Sequence, residues 1–206
     1  TIGSVEKGLD VYIEAENFSI KDYSDYLPQL ANYDLSLDLK SDVIISHGEP
    51  VSVSLSAGNV KGNLLKGEFF RDNIKVNNAE FQLTHDVKTN ITELVWLDAN
   101  LENSTTITGK GTVSAANNMS MHFGVENLPI TDLVKIWPND VGVNPYNWIS
   151  KNITKGSITK ASAVINLKPE YFESELLPDE AVEVKFEAKD LLVNYRSPLI
   201  PAKVHK

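Results

Sequence analysis

The chain of 206 residues contains no cysteine, two methionines and four histidines, at positions 47, 85, 122 and 205. Without cysteine there is no disulfide, thiolate metal site or cysteine nucleophile. The redox compartment stays open, because reducing and oxidising compartments both hold Cys-free domains. The histidines lie far apart, and none belongs to an H-E-x-x-H pattern. Phosphate loops and the G-x-S-x-G turn are also missing. "GKG" at Gly109 to Gly111 lacks the third glycine and the helix of a dinucleotide loop, and reads as a hairpin turn. Asp34, Asp38 and Asp42 alternate along "DLSLDLKSD" but miss the spacing of a calcium loop, whose sixth position needs glycine and here has Leu39. No cofactor and no catalysis are expected. Positive charge is scarce as well: 19 Lys and Arg against 28 Asp and Glu leave a net charge of -9. That balance argues against nucleic acid as a partner. No run nears the ~20 apolar residues of a membrane-spanning helix, and no basic-then-apolar signal pattern opens the chain.

What the chain does contain is an internal repeat. "VYIEAENFSIKDYSDYLP", residues 11 to 28, returns as "MHFGVENLPITDLVKIWP", residues 121 to 138. The two agree at Glu16 and Glu126, Asn17 and Asn127, Ile20 and Ile130, Asp22 and Asp132, and Pro28 and Pro138. A fainter third copy, Phe186 to Pro201, has its Glu187, Ala188 and Pro201 in register with the first, and Arg196 and Pro198 favour extended chain where a helix would otherwise follow. The unequal spacing of the copies fits duplication of a building block better than a solenoid. On this basis residues 1–120 form a strand-rich segment with the first copy, and residues 121–206 hold the second and third. The chain opens on Thr1 and stops inside what looks like another unit, so an excerpt of a longer protein is expected.

Apolar residues at every second position dominate the rest. Leu35, Leu37 and Leu39, then Val51, Val53 and Leu55, then Val182, Val184 and Phe186 alternate with Ser, Asp, Glu and Lys. This is the period of strands with one buried face. Further strands are expected near 79–83, 94–101, 107–115 and 161–167, with turns at "HGEP", "AGNVKGN", "RDN" and "TGKG". Helical spacing is brief: near 20–27, near 130–137, and near 145–154, where Asn144 is placed to cap and Gly156 to end the helix. "PEYFESELL" suggests a fourth helix.

So few helices leave most of the apolar strand faces uncovered. A mainly β fold is expected, a curved antiparallel sheet forming an open apolar groove, or half-barrel; a β-sandwich is the alternative. An open groove of this kind needs an apolar ligand, and a phospholipid or other acyl chain is the first choice. The alternating set Leu35, Leu37, Leu39, Val51, Val53, Leu55, Val182, Val184 and Phe186 supplies the candidate lipid contacts.

The run "ENLPITDLVKIWPNDVGVNPYNWISKNITKGSITKASAVINLKPE", followed by "VEVKFEAKDLLVNYRSPLIPAKVHK", resembles the central domain of AsmA-like bacterial proteins of the YhdP type. The resemblance rests on Trp137-Pro138, on the Trp148 segment leading to Gly156-Ser157-Ile158, and on Tyr195 with Pro198 and Pro201. It implies a protein of Gram-negative bacteria anchored in the inner membrane through parts outside this excerpt. It further implies a periplasmic body whose neighbouring domains continue the groove, and a role in phospholipid transport to the outer membrane. Two rivals are an adhesive or structural β-sandwich and a carbohydrate-binding module. The second would display Trp and Tyr, whereas the helical spacing of Trp137 and Trp148 among apolar neighbours favours packing.

Overall fold

The structure is a computed structural model that describes residues 8–67, 70–139, 143–171, 178, 181–194 and 202–204. Ten strands follow each other: β1 (Gly8–Ser19), β2 (Tyr33–Ser46), β3 (Glu49–Leu64), β4 (Ile74–Asp86), β5 (Ile91–Leu101), β6 (Thr106–Val113), β7 (Met119–Pro129), β8 (Ile153–Leu167), β9 (Val182–Val193) and β10 (Ala202–Val204). They form one open sheet in sequence order, and each neighbouring pair is antiparallel. The described residues thus build a single curved sheet, not the two facing sheets of a sandwich. It runs unbroken across residue 120, where β6 pairs with β7 from Thr106–Glu126 to Val113–Met119. Tight tips suit such a meander: His47 and Gly48 both have positive φ, as the common two-residue hairpin turn requires.

Two stretches expected to be turns are strand. "AGNVKGN" lies within β3 and Gly109 to Gly111 within β6. Gly109 stands between Leu97 and Phe123, and a Cβ there would come 3.1 Å from the Phe123 ring, so neighbouring side chains occupy the space that glycine leaves. The bulk is supplied from the adjacent strands.

The helices are α1 (Ile130–Ile136) and α2 (Val143–Asn152). Asn144 lies inside α2 rather than capping it; the Asn152 side chain donates to the Trp148 carbonyl at its end, and Gly156 belongs to β8 with φ 114°. Near residues 20–27 the chain forms two 3-10 turns, Lys21–Tyr23 and Pro28–Asn32, instead of an α-helix. Tyr23 stacks on Phe18 at 4.7 Å, drawing the turn back onto β1, and Pro28 starts the second turn, where a missing N–H costs nothing. "PEYFESELL" yields a 3-10 turn at Pro169–Tyr171, and residues 172–177 lie outside the described residues, as do Arg196 and Pro198.

The repeat now has a physical explanation. Asn17 and Asn127 both adopt left-handed φ (52° and 56°), and so do Asp190 of the third copy (53°) and Asn59 (51°) in "AGNV" of β3. In each case an apolar residue, one spacer, the Asn or Asp and a second apolar residue follow in order: Ala15–Phe18, Ala57–Val60, Val125–Leu128 and Ala188–Leu191. Asn and Asp tolerate this conformation better than other side chains. The pairing register shifts across 15–18 and 57–60, as expected for bulges. Two polar residues then separate the apolar ones, and the second still falls on the apolar face. Both Val60 and Leu128 are buried. Between the first two bulges, Asp38 of β2 accepts the Asn17 backbone N–H at 2.9 Å and the Asn59 amide at 2.6 Å.

Candidate functional site: an apolar face with one covered end

Register places the apolar residues of successive strands in transverse rows. One row runs Ala15, Leu39, Ala57, Phe81 and Leu97 on β1 to β5, and continues through Gly109, Phe123, Ala163 and Val184 on β6 to β9. A second begins at Ile13 and Ser41, passes Leu55, Leu83 and Leu94, then Gly111, Met121 and Ile165, and ends at Val182. Partners in an antiparallel ladder share a face, so these rows lie on one side of the sheet. Charged residues such as Asp38, Lys40, Glu80, Asp98, Lys110 and Lys185 occupy the other. Eight inter-strand spacings make each row about 38 Å long.

One end of this face is covered. Leu37, Ala57, Val60, Ile74, Val76, Ala79, Ala99 and Leu101 form a buried cluster, against which Ile20, Phe70 and Ile136 pack from outside the sheet. Leu128, Ile130 and Ile158 make a second cluster with Leu133 of α1. The cover is tied down from distant parts of the chain. Asn103 at the β5–β6 turn donates to Asp132 of α1 at 2.7 Å, and Lys135 pairs with the same carboxylate at 3.0 Å. This contact raises the Lys135 pKa, through the hydrogen bond first and the opposite charge second. Arg71 lies 3.9 Å from the centre of the Tyr146 ring, and the Asn139 amide donates to the Gly67 carbonyl. Buried Thr105 donates to the Asn127 carbonyl, securing the β6–β7 contact beside this left-handed residue.

Toward the outer strands β1 and β9 the apolar face thins out to solvent. Leu9 and Ile13 on β1 and Val182, Val184 and Phe186 on β9 are exposed, Phe186 at 62%. The residues named from the alternation therefore divide. Leu37 is buried, with Leu35 and Leu39 packed on its cluster, so these three belong to the covered end. Val53 and Leu55 lie half-buried in the open rows, with Val51 at the bulge before them where Ile45 faces Pro50. Val182, Val184 and Phe186 lie at the far side, six strand spacings or about 29 Å from β3. The alternation assigned the face and missed this division, which depends on what packs above. A shallow hollow of 290 Å³ is lined by residues 108–110, 122–124 and 162–164, and its flanking rows Thr108–Gly124–Ser162 and Lys110–His122–Val164 belong to the charged face. Residues 160–162 and 185–187 line a neighbouring one of 230 Å³.

His85 escaped the alternation. It continues Phe81 and Leu83 at period two, faces Val53 and Thr92 across its ladders, and hydrogen-bonds Thr92 Oγ1 through Nδ1 at 2.9 Å. The pattern "FQLTH" carried that signal. Of the aromatic residues expected to pack, Trp137 lies 6.2 Å from the Tyr146 ring, whereas Trp148 is 46% exposed. Among the described residues no group of three or more His, Asp or Glu gathers as a metal site. No family model, curated protein or solved structure matches this chain.

Proposed function

We propose that the sheet is a segment of a lipid-conducting groove that supports phospholipid transport between inner and outer membrane. The observation that carries this reading is the pair of transverse rows, apolar but for Ser41, each crossing nine strands with no second sheet above it among the described residues. A row of about 38 Å is more than twice the ~15 Å depth of one bilayer leaflet. A single acyl chain therefore fills under half of it, which suits passage along the face better than retention in one pocket. The outermost rows stay exposed at both sides, so the apolar path does not end inside the sheet. The AsmA-like resemblance of residues 126–206 supplies the proposed setting: a periplasmic body, anchored to the inner membrane elsewhere in its parent protein, whose adjoining domains extend the path. Nothing in this mechanism calls for catalysis, since apolar burial and release are near balance at each step along a uniform surface.

Photocrosslinking tests the proposal. A photoreactive residue at Ile13, Leu55, Val184 or Phe186 in the full-length protein in its native membrane is expected to yield phospholipid adducts. The same group at Glu14, Ser54 or Lys185, on the opposite face, is expected to yield none. Adducts on neither face, or equally on both, would refute a lipid path on the apolar rows.

A further inference from the structure

We propose that His85, held in place by Thr92, binds the anionic oxygen of an acyl ligand's polar end, a carboxylate or a phosphate; this rests on the groove reading above. A third row of the apolar face, nearest the hairpin tips, runs Val11, Val43 and Val53 to His85 and Thr92, and on to Val113, Met119 and Leu167. In this row and the two described above, His85 is the one ionisable side chain. From β3 it meets Val53 and from β5 Thr92, and the nearest acids, Asp86 and Glu93, point to the opposite face by the alternation of each strand. Among the described residues of these three rows no carboxylate competes for it.

Geometry orients the ring. The bond to Thr92 Oγ1 uses Nδ1, and Nε2 makes no hydrogen bond to a described residue. When the Thr92 hydroxyl donates to Nδ1, the ring proton sits on Nε2, which then points out as a directed donor. Its place also suits an amphiphile. The end of the face opposite the hairpin tips is covered by Ile20, Phe70 and Ile136, so His85 lies toward the uncovered end. His85 stands on that side, one step of about 7 Å beyond Leu83, where chain gives way to headgroup. A half-buried donor there meets an anionic oxygen with little competition from water, and hydrogen bonds to charged groups are the stronger kind.

The test is equilibrium binding to the full-length protein of three probes with one acyl chain in common: palmitate, palmitoyl lysophosphatidate and uncharged monopalmitoylglycerol. The wild type is expected to bind both acids more tightly than the glyceride. His85→Leu is expected to weaken the acids about ten-fold or more, the scale of one charge-assisted hydrogen bond. The glyceride should stay within about two-fold. His85→Lys, which places an N–H donor at the same position, is expected to keep the preference for acids, and unchanged thermal midpoints exclude a folding defect. The acid that loses more identifies the source as carboxylate or phosphate. Equal loss of all three probes, or no loss of the acids, overturns the role of His85 while leaving the groove intact. A wild type that binds none of them overturns the groove reading together with it.

Discussion

Placing a carboxylate at Phe186 and, separately, at Leu37 separates open from covered apolar face within a single sheet. Phe186 is 62% exposed, leaving about two-fifths of its surface covered. Full burial of such a side chain contributes about 1.5–3 kcal/mol, so Phe186→Glu forfeits only about 1 kcal/mol, and its carboxylate reaches water. Leu37 is 6% exposed within the main cluster. Truncating a core leucine costs about 2–5 kcal/mol, and an unpaired carboxylate in the vacated space adds a few more. Each kcal/mol moves the thermal midpoint of a chain this size by about 2–4 °C. Phe186→Glu should therefore melt within about 4 °C of the wild type, and Leu37→Glu should drop by about 10 °C or fail to fold. Differential scanning calorimetry of both variants beside the wild type reads this directly. Equal destabilisation would mean that Phe186 is covered as Leu37 is, and the open face would have to be abandoned.

Two further outcomes probe the bulges. Asn59 has φ 51° and holds Asp38, so Asn59→Ala should cost about 2 kcal/mol, whereas Asn59→Gly, free of the left-handed penalty, should cost less. Urea denaturation that ranks Ala level with Gly would contradict a left-handed bulge there. The backbone N–H of Asn17, and then the Asn59 amide, hold the Asp38 carboxyl below the usual aspartate range. A carboxyl whose folded pKa lies below its unfolded one adds stability above the unfolded value, about 4, and loses it as pH falls through the folded value. Acidification from pH 6 to pH 3 should then lower the urea midpoint of the wild type more than that of Asp38→Asn. Identical shifts would remove Asp38 from the account.

The period-two pattern of residues such as Leu35 to Leu39 and Val182 to Phe186 was enough to establish strands with one apolar face, because side-chain alternation is a local property of extended backbone. The recurrence of Asn17 at Asn127 was also visible, since a left-handed residue in a strand needs only its own few neighbours, and the three copies of the repeat marked three of the four positions. Reading "AGNVKGN" and "GKG" as turns failed for the complementary reason. Glycine in a strand is filled or bent by its neighbours, and the side chains of Leu97 and Phe123 that flank Gly109 come from other strands. Which part of the apolar face is covered was decided only in three dimensions. Phe70 and Ile136 are 66 residues apart in sequence, yet pack together on the cluster around Leu37. Leu37 and Phe186 carry the same pattern in the sequence, and differ because burial depends on what the folded chain brings above them.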